Sequence, residues 1–175
     1  DGEVKTVEIT LKPATDLVKM ANFYKKPPYY IYGGLVFTVL STDLINEWRA
    51  LGQSVDNRFL ISYFYWAYDA GYLNEKHKKD LVVLSEVLPD SVNSGYHNHQ
   101  NEIITKVNGQ EFDSFRDFIS LVENNREPYI VFENERKQKL ILSAAEAVKV
   151  TNDIMKRNNI ASRYSSDVAL WLERP

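Results

Sequence analysis

Apolar and polar residues alternate along EVKTVEITL (3–11) with the two-residue period of a half-buried strand, and Pro13 closes the run. DLVKMANFYKKPPYY (16–30) has no such period and carries Pro27 and Pro28, so it reads as an extended connector. GLVFTVL (34–40) is a short run of β-formers and predicts a strand. In STDLINEWRAL (41–51), hydroxyl and Asp cap candidates precede Leu44, Ile45, Trp48 and Leu51 at helical spacing. A second helix is expected from about Asp56 to Ala70, with Gly71 as its stop. Its sequence is apolar on nearly every side, which predicts burial on two faces or against a partner.

Beyond the charged break NEKHKKD, LVVLSEVL (81–88) suits a covered strand and DSVNSGYHNHQ (90–100) is a turn-rich loop. In NEIITKVNGQEF (101–112), Ile104 and Val107 lead into Asn108-Gly109, a pair that tolerates the positive φ of a tight turn. DSFRDFISLVENN (113–125) predicts an amphipathic helix capped by Asp113 or Ser114, with Phe115, Phe118, Ile119 and Val122 on one stripe. PYIVFENERKQKLILS (128–143) predicts a hairpin with a polar turn. Ser143 and Glu146 have capping-box spacing and open a helix running to about Arg157. The tail from Asn158 onward has no strong period.

The 175 residues fit one domain with extensions, and 44% apolar content supports a real core. Aromatics are abundant: eleven Tyr, eight Phe and three Trp. A net charge of −3 with no basic block gives no electrostatic case for nucleic acid or an anionic membrane surface. No apolar run reaches the length of a bilayer-spanning helix. The chain opens mid-pattern without an initiator Met, which reads as a processed or excised piece. The absence of Cys removes disulfides, thiol catalysis and cysteine metal sites, and leaves the compartment open.

Catalytic chemistry finds little support. His97 and His99 could approach one metal, but no third ligand is signalled nearby and a polar surface loop accounts for them. Ser94 has neither a G-x-S-x-G elbow nor a named base. No apolar pocket pairs two carboxylates for acid–base work, and no phosphate-binding glycine motif occurs. No cofactor and no metal site are expected. The aromatic stretch from Tyr63 to Tyr68 lacks a basic stripe, so core or interface packing is expected over base stacking. What remains is a binding architecture. Gly33-Gly34 before an apolar strand allows a tight turn with outward amides, a nest suited to a carboxylate. A strand with a free edge beside an amphipathic helix can accept an extended peptide. An ordinary turn and strand is the alternative.

Gly34-Leu35-Val36-Phe37 resembles the Gly-Leu-Gly-Phe carboxylate-binding loop of PDZ domains. The wider block PPYYIYGGLVFTVLS resembles the C-terminal PDZ-like domain of Deg/HtrA-type serine proteases, especially the plant organellar branch and its bacterial relatives. LVVLSEVLPDSVNSGY, NEIITKVNGQEFDSFRDFISLVENN and KLILSAAEAVKVTNDIMKRNNI follow that branch in order, so the resemblance covers about residues 5 to 165. It implies an α+β fold, a PDZ-like partly open β-barrel with flanking helices and a helical insertion at about 42–75. The implied organisation is a strand or connector over 1–15, the PDZ-like domain over 16–160 and a tail over 161–175. It further implies a trypsin-like protease domain upstream in the same protein, which carries the catalytic triad; no catalytic residue is transferred to this chain.

The implied role is peptide or protein-segment binding, homo-oligomeric assembly, or both, in the regulation of proteolysis. A purely structural oligomerisation module with a blocked groove is the alternative. Gly34, Leu35, Val36 and Phe37 would form the peptide-binding loop and strand, and Phe115, Ile119 and Val122 the groove helix. Phe59, Tyr63, Phe64 and Trp66 are interface candidates. Val36 stands where the family has glycine, and its branched side chain stiffens that loop. The resemblance points to a bacterial cell envelope or an organelle.

Overall fold

The structure, a computed structural model, describes residues 26–41, 43, 44, 46, 47 and 80–172. The expected strand at 3–11, the aromatic insertion helix at 56–70 and the interface candidates Phe59, Tyr63, Phe64 and Trp66 lie outside the described residues. Where the insertion departs, Asp43, Leu44, Asn46 and Glu47 are helical, and the Ser41 hydroxyl accepts the Leu44 amide at 3.3 Å.

An antiparallel seven-stranded sheet forms the body. Its strands are β1 (Tyr29–Tyr32), β2 (Leu35–Val39), β3 (Val82–Val87), β4 (Glu102–Val107), β5 (Gln110–Glu111), β6 (Tyr129–Asn134) and β7 (Lys139–Ser143). The spatial order is β1-β2-β3-β4-β6-β7, with β5 paired to β4. β1 and β7 stand at opposite ends of this order, so among the described residues the sheet is open, in keeping with the expected PDZ-like α+β fold. Helices α1 (Phe115–Glu123), α2 (Ala144–Arg157) and α3 (Ser166–Leu172) accompany it among the described residues.

β1 is an addition to the sequence reading, which ran a connector through Tyr30. Tyr-Tyr-Ile-Tyr are all β-formers, and Pro27 and Pro28 precede the strand without interrupting it. Gly33 and Gly34, at φ 56° and 81°, supply the positive values that a tight two-residue hairpin requires, folding β1 onto β2. Asn108 and Gly109, at φ 49° and 78°, make the corresponding turn between β4 and β5.

α1 begins as the sequence predicts. The Ser114 hydroxyl accepts the Asp117 amide at 3.1 Å, and the Asp117 carboxylate accepts the Ser114 amide at 3.1 Å. Phe115, Phe118, Ile119 and Val122 then face the sheet and are buried. Phe118 is the hub of the core. Its ring centroid lies 4.8 Å from Phe37, 5.3 Å from Phe112, 5.9 Å from Phe115, 6.0 Å from Phe132 and 6.4 Å from Tyr30. α2 starts at Ser143, whose hydroxyl accepts the Glu146 amide at 3.4 Å. It ends in a Schellman turn: Asn159 adopts φ 54°, and the Ile160 amide donates to the Met155 carbonyl at 2.9 Å.

The C-terminal stretch also departs from its aperiodic sequence. Residues 166–172 form α3, Val168 is fully buried, and the Trp171 ring meets Phe115 edge-on at 6.4 Å. Seven residues span too few turns to display a helical period, and so short a helix depends on its tertiary contacts.

Candidate functional site

The Gly33-Gly34 turn is fastened from two sides. The Gly33 amide donates to the Thr151 hydroxyl at 2.9 Å, and Thr151 donates onward to the Ala147 carbonyl at 2.6 Å, tying the turn to α2. The Gly33 carbonyl accepts the Asn93 side-chain amide at 2.8 Å, which also donates to the Leu88 carbonyl at 2.8 Å. The Leu88 amide returns a bond to the Gly34 carbonyl at 2.8 Å. Fully buried Asn93 also accepts from the Asp90 amide at 3.0 Å, so both ends of its amide are satisfied. The Gly33 amide therefore points into α2, whereas the sequence suggests outward-facing amides at this turn.

β2 was expected to offer a free edge; it is an interior strand. On one side it pairs with β3 through Leu35↔Val87 and Val39↔Val82, with a bulge between Val36 and Phe37. On the other it pairs with β1 through Tyr30↔Phe37 and Ile31↔Val36. Leu35 and Phe37 are fully buried in the core, and Val36 is half-buried. Phe115, Ile119 and Val122 are also core residues; of these three, Ile119 reaches the cleft described below.

The strand-accepting edge lies one strand further out, on β1. The Ile31 amide donates to the Arg163 carbonyl at 2.9 Å, and the Ser165 amide donates to the Tyr29 carbonyl at 3.1 Å. Tyr30 and Tyr164 form an antiparallel bridge, and the Tyr29 amide donates to the Ser165 hydroxyl at 3.2 Å. Residues 163–165 are thus an added strand segment, after which the chain turns into α3. Between α1 and this segment lies a cleft of about 630 Å³, lined by Arg116, Ile119, Ser120, Glu123, Arg163 and Trp171 among others.

Arg163 is the charged centre of this junction. Its Nε donates to the Ile31 carbonyl at 3.0 Å, and its Nη2 donates to the Tyr30 hydroxyl at 2.7 Å and lies 2.8 Å from Glu123 Oε1. The guanidinium carbon sits 5.0 Å from the Tyr30 ring centroid and 5.7 Å from that of Tyr32. The Tyr30 hydroxyl donates to Glu123. Burial pushes the Tyr30 phenol well above its ordinary pKa against the opposing pull of Arg163, so it stays neutral and remains a donor. Burial likewise raises Tyr32.

A second polar cluster joins β4, β6 and the turn at 97–99. Buried Glu102 accepts from Asn134 Nδ2 at 2.7 Å and lies 2.8 Å from His99 Nδ1. Nearby Glu135 is pushed above the usual carboxylate range, first by burial and then by the Glu102 charge. Among the described residues its Oε2 has no hydrogen-bond partner. A raised folded-state pKa means that this group's contribution to stability is full below the unfolded carboxylate value and is lost as pH rises through the folded one. Glu135→Gln is therefore expected to stabilise the protein relative to wild type at pH 7 by more than at pH 4, which lies close to the ordinary Glu value of about 4.3. Urea unfolding of both proteins at the two pH values measures this, and an equal difference at both would refute it.

The open antiparallel sheet, the hairpin at the Gly-Gly turn and the amphipathic helix facing it accompany a match between residues 18–167 and the profile of the PDZ domain. The chain belongs to the PDZ domain family. This PDZ domain is 30% identical over 167 residues to protease Do-like 2, chloroplastic, of Arabidopsis thaliana, covering 95% of the chain and 26% of that relative. It is 28% identical over 166 residues to putative protease Do-like 12, mitochondrial, of the same plant, covering 95% of the chain and 28% of the relative. A serine protease DegP homolog of Plasmodium falciparum is 27% identical over 121 residues, covering 69% of the chain and 12% of the relative. The chain thus spans about a quarter of the two plant proteases, and it is a PDZ module of the Deg/HtrA-protease type.

Sequence reasoning named the turn, β2 and α1, and missed β1, Glu123 and the 163–165 segment. The β-forming run Tyr29–Tyr32 was a usable signal for β1. Arg163 stands in an aperiodic stretch and had none.

Proposed function

We propose that this module is the non-catalytic C-terminal PDZ domain of a Deg/HtrA-like serine endopeptidase. It holds polypeptide segments by strand addition beside α1 and so regulates cleavage performed by another domain. The observation supporting this reading is the main-chain pairing of residues 163–165 on the β1 edge, a segment bound as an added peptide strand would be. Here the occupant is the chain's own C-terminal stretch. Capture of a free C-terminus by the amides of Leu35, Val36 and Phe37 would require β1 to leave β2, which favours internal segments over free termini. The second reading, a structural assembly module, is favoured by the two-sided pairing of β2.

Two measurements test the proposal. The chain is expected to leave casein and a fluorogenic peptide uncut and to resist labelling by a serine-directed phosphonate; stoichiometric labelling would overturn its non-catalytic role. Deleting residues 163–175 is expected to create or strengthen binding of short apolar peptides, read by calorimetry. Unchanged or absent binding in a folded deletion variant would favour the assembly module.

A further inference from the structure

The surroundings of Arg163 combine hydrogen-bonding, charged and aromatic groups. Three features converge there: the paired faces of Tyr30 and Tyr32, the Glu123 carboxylate at the C-terminal end of α1, and the outward carbonyl of Ile31. Together they match a guanidinium. One N–H is taken by a main-chain carbonyl, a different nitrogen by a phenol and a carboxylate, and two aromatic ring centroids stand 5.0 Å and 5.7 Å from the guanidinium carbon. A lysine ammonium is a single point donor and cannot occupy the Nε and Nη2 positions together. A ligand carboxylate is disfavoured, since the nearest charged group on the protein side is Glu123.

We propose that the Tyr30–Tyr32–Glu123 box is a subsite for an arginine side chain on an extended internal segment. Arg163 is its resident occupant, exchangeable for the arginine of a partner polypeptide. This rests on the strand-addition reading above and adds to it the chemistry of the ligand. The seated segment shows that chemistry: arginine, an aromatic bridged to β1 and a serine, then a short helix bearing an apolar residue where Val168 is buried and an aromatic where Trp171 meets Phe115. Tyr30 and Tyr32 are buried, and the charged side of the box is the part open to exchange. The Arg163 and Glu123 side chains are 26% and 33% exposed, and both line the cleft of about 630 Å³ between α1 and the C-terminal segment. A partner arginine can therefore approach along the cleft while the resident segment peels from β1. Because the resident segment competes, the apparent affinity for a partner is lowered by the fraction of time the site is filled in cis.

The test uses the full chain, its Arg163→Ala variant and labelled synthetic peptides spanning residues 160–172, carrying either arginine or citrulline at the position of Arg163. Citrulline retains the shape and removes the charge. Anisotropy titrations are expected to show the arginine peptide binding Arg163→Ala about tenfold more tightly than wild type, because the resident competitor is weakened. The citrulline peptide is expected to bind Arg163→Ala about tenfold more weakly than the arginine peptide, the equivalent of one charge-assisted contact. Hydrogen exchange on the wild-type chain provides a readout that does not depend on the variant folding. Excess arginine peptide should accelerate exchange across residues 162–172, and citrulline peptide should not. Equal behaviour of the two peptides would remove the arginine subsite and leave strand addition standing; no binding and no exchange effect with either would remove both.

Discussion

Gly34→Ala is expected to destabilise the domain by about 3–5 kcal/mol, with contributions from a left-handed backbone, overpacking and lost buried hydrogen bonds. Gly34 sits at φ 81°, where an L side chain is strained. A Cβ there would lie 2.4 Å from Asn93 Nδ2 and 2.5 Å from the Leu88 carbonyl oxygen. Neither neighbour can yield easily. Asn93 is fully buried and donates to both Gly33 and Leu88, and the Leu88 carbonyl belongs to the main chain that returns a bond to Gly34. Gly109→Ala is the control. It has a nearly identical φ of 78° but nothing within 4 Å of the added carbon, so it should cost only about 1–2 kcal/mol. Urea unfolding of the two variants separates backbone strain from collision, and equal losses would show that the Asn93 latch carries no weight.

Phe118→Ala is expected to cost about 3–5 kcal/mol, the range for truncating a buried aromatic. Phe118 is fully buried and is contacted by rings from β1, β2, β6, α1 and Phe112, the first residue after β5. The cavity left behind would be ringed by stiff aromatic side chains, which relax poorly, so the loss should fall toward the upper end of that range. Phe118→Leu should recover more than half of it by restoring volume. Thermal and urea unfolding report the losses, and a Phe118→Ala loss below about 1.5 kcal/mol would mean that the rings close over the gap.

Legibility in the sequence followed the range of the interactions. Asn108-Gly109, the Ser114–Asp117 cap and the Ser143 cap are decided by residues within four positions of each other, and each stands where the pattern placed it. The α1 stripe was equally readable, because a 3.6-residue period marks the buried face whatever lies opposite. The candidate site was less legible. Whether β2 has a free edge depends on β1, and whether β1 has one depends on a bond from Tyr29 to Ser165 across 136 positions. No local pattern encodes that pairing. The Gly-Gly pair fits either a ligand cradle or an ordinary turn in the sequence, and its φ values and the closeness of Asn93 and Ala147 agree with the ordinary turn.

The same long-range closure sets an order of events during synthesis. A ribosome delivers β1 and β2 well before it delivers Arg163–Ser165. In that interval the hairpin can form, because its partners are adjacent in the chain, but the outward amide of Ile31 and carbonyl of Tyr29 have no mate. An uncovered strand edge invites pairing with other nascent chains. The box that holds Arg163 therefore acts as a late fastener on the module, ahead only of the packing of α3, and a truncated product ending before it would carry that edge bare.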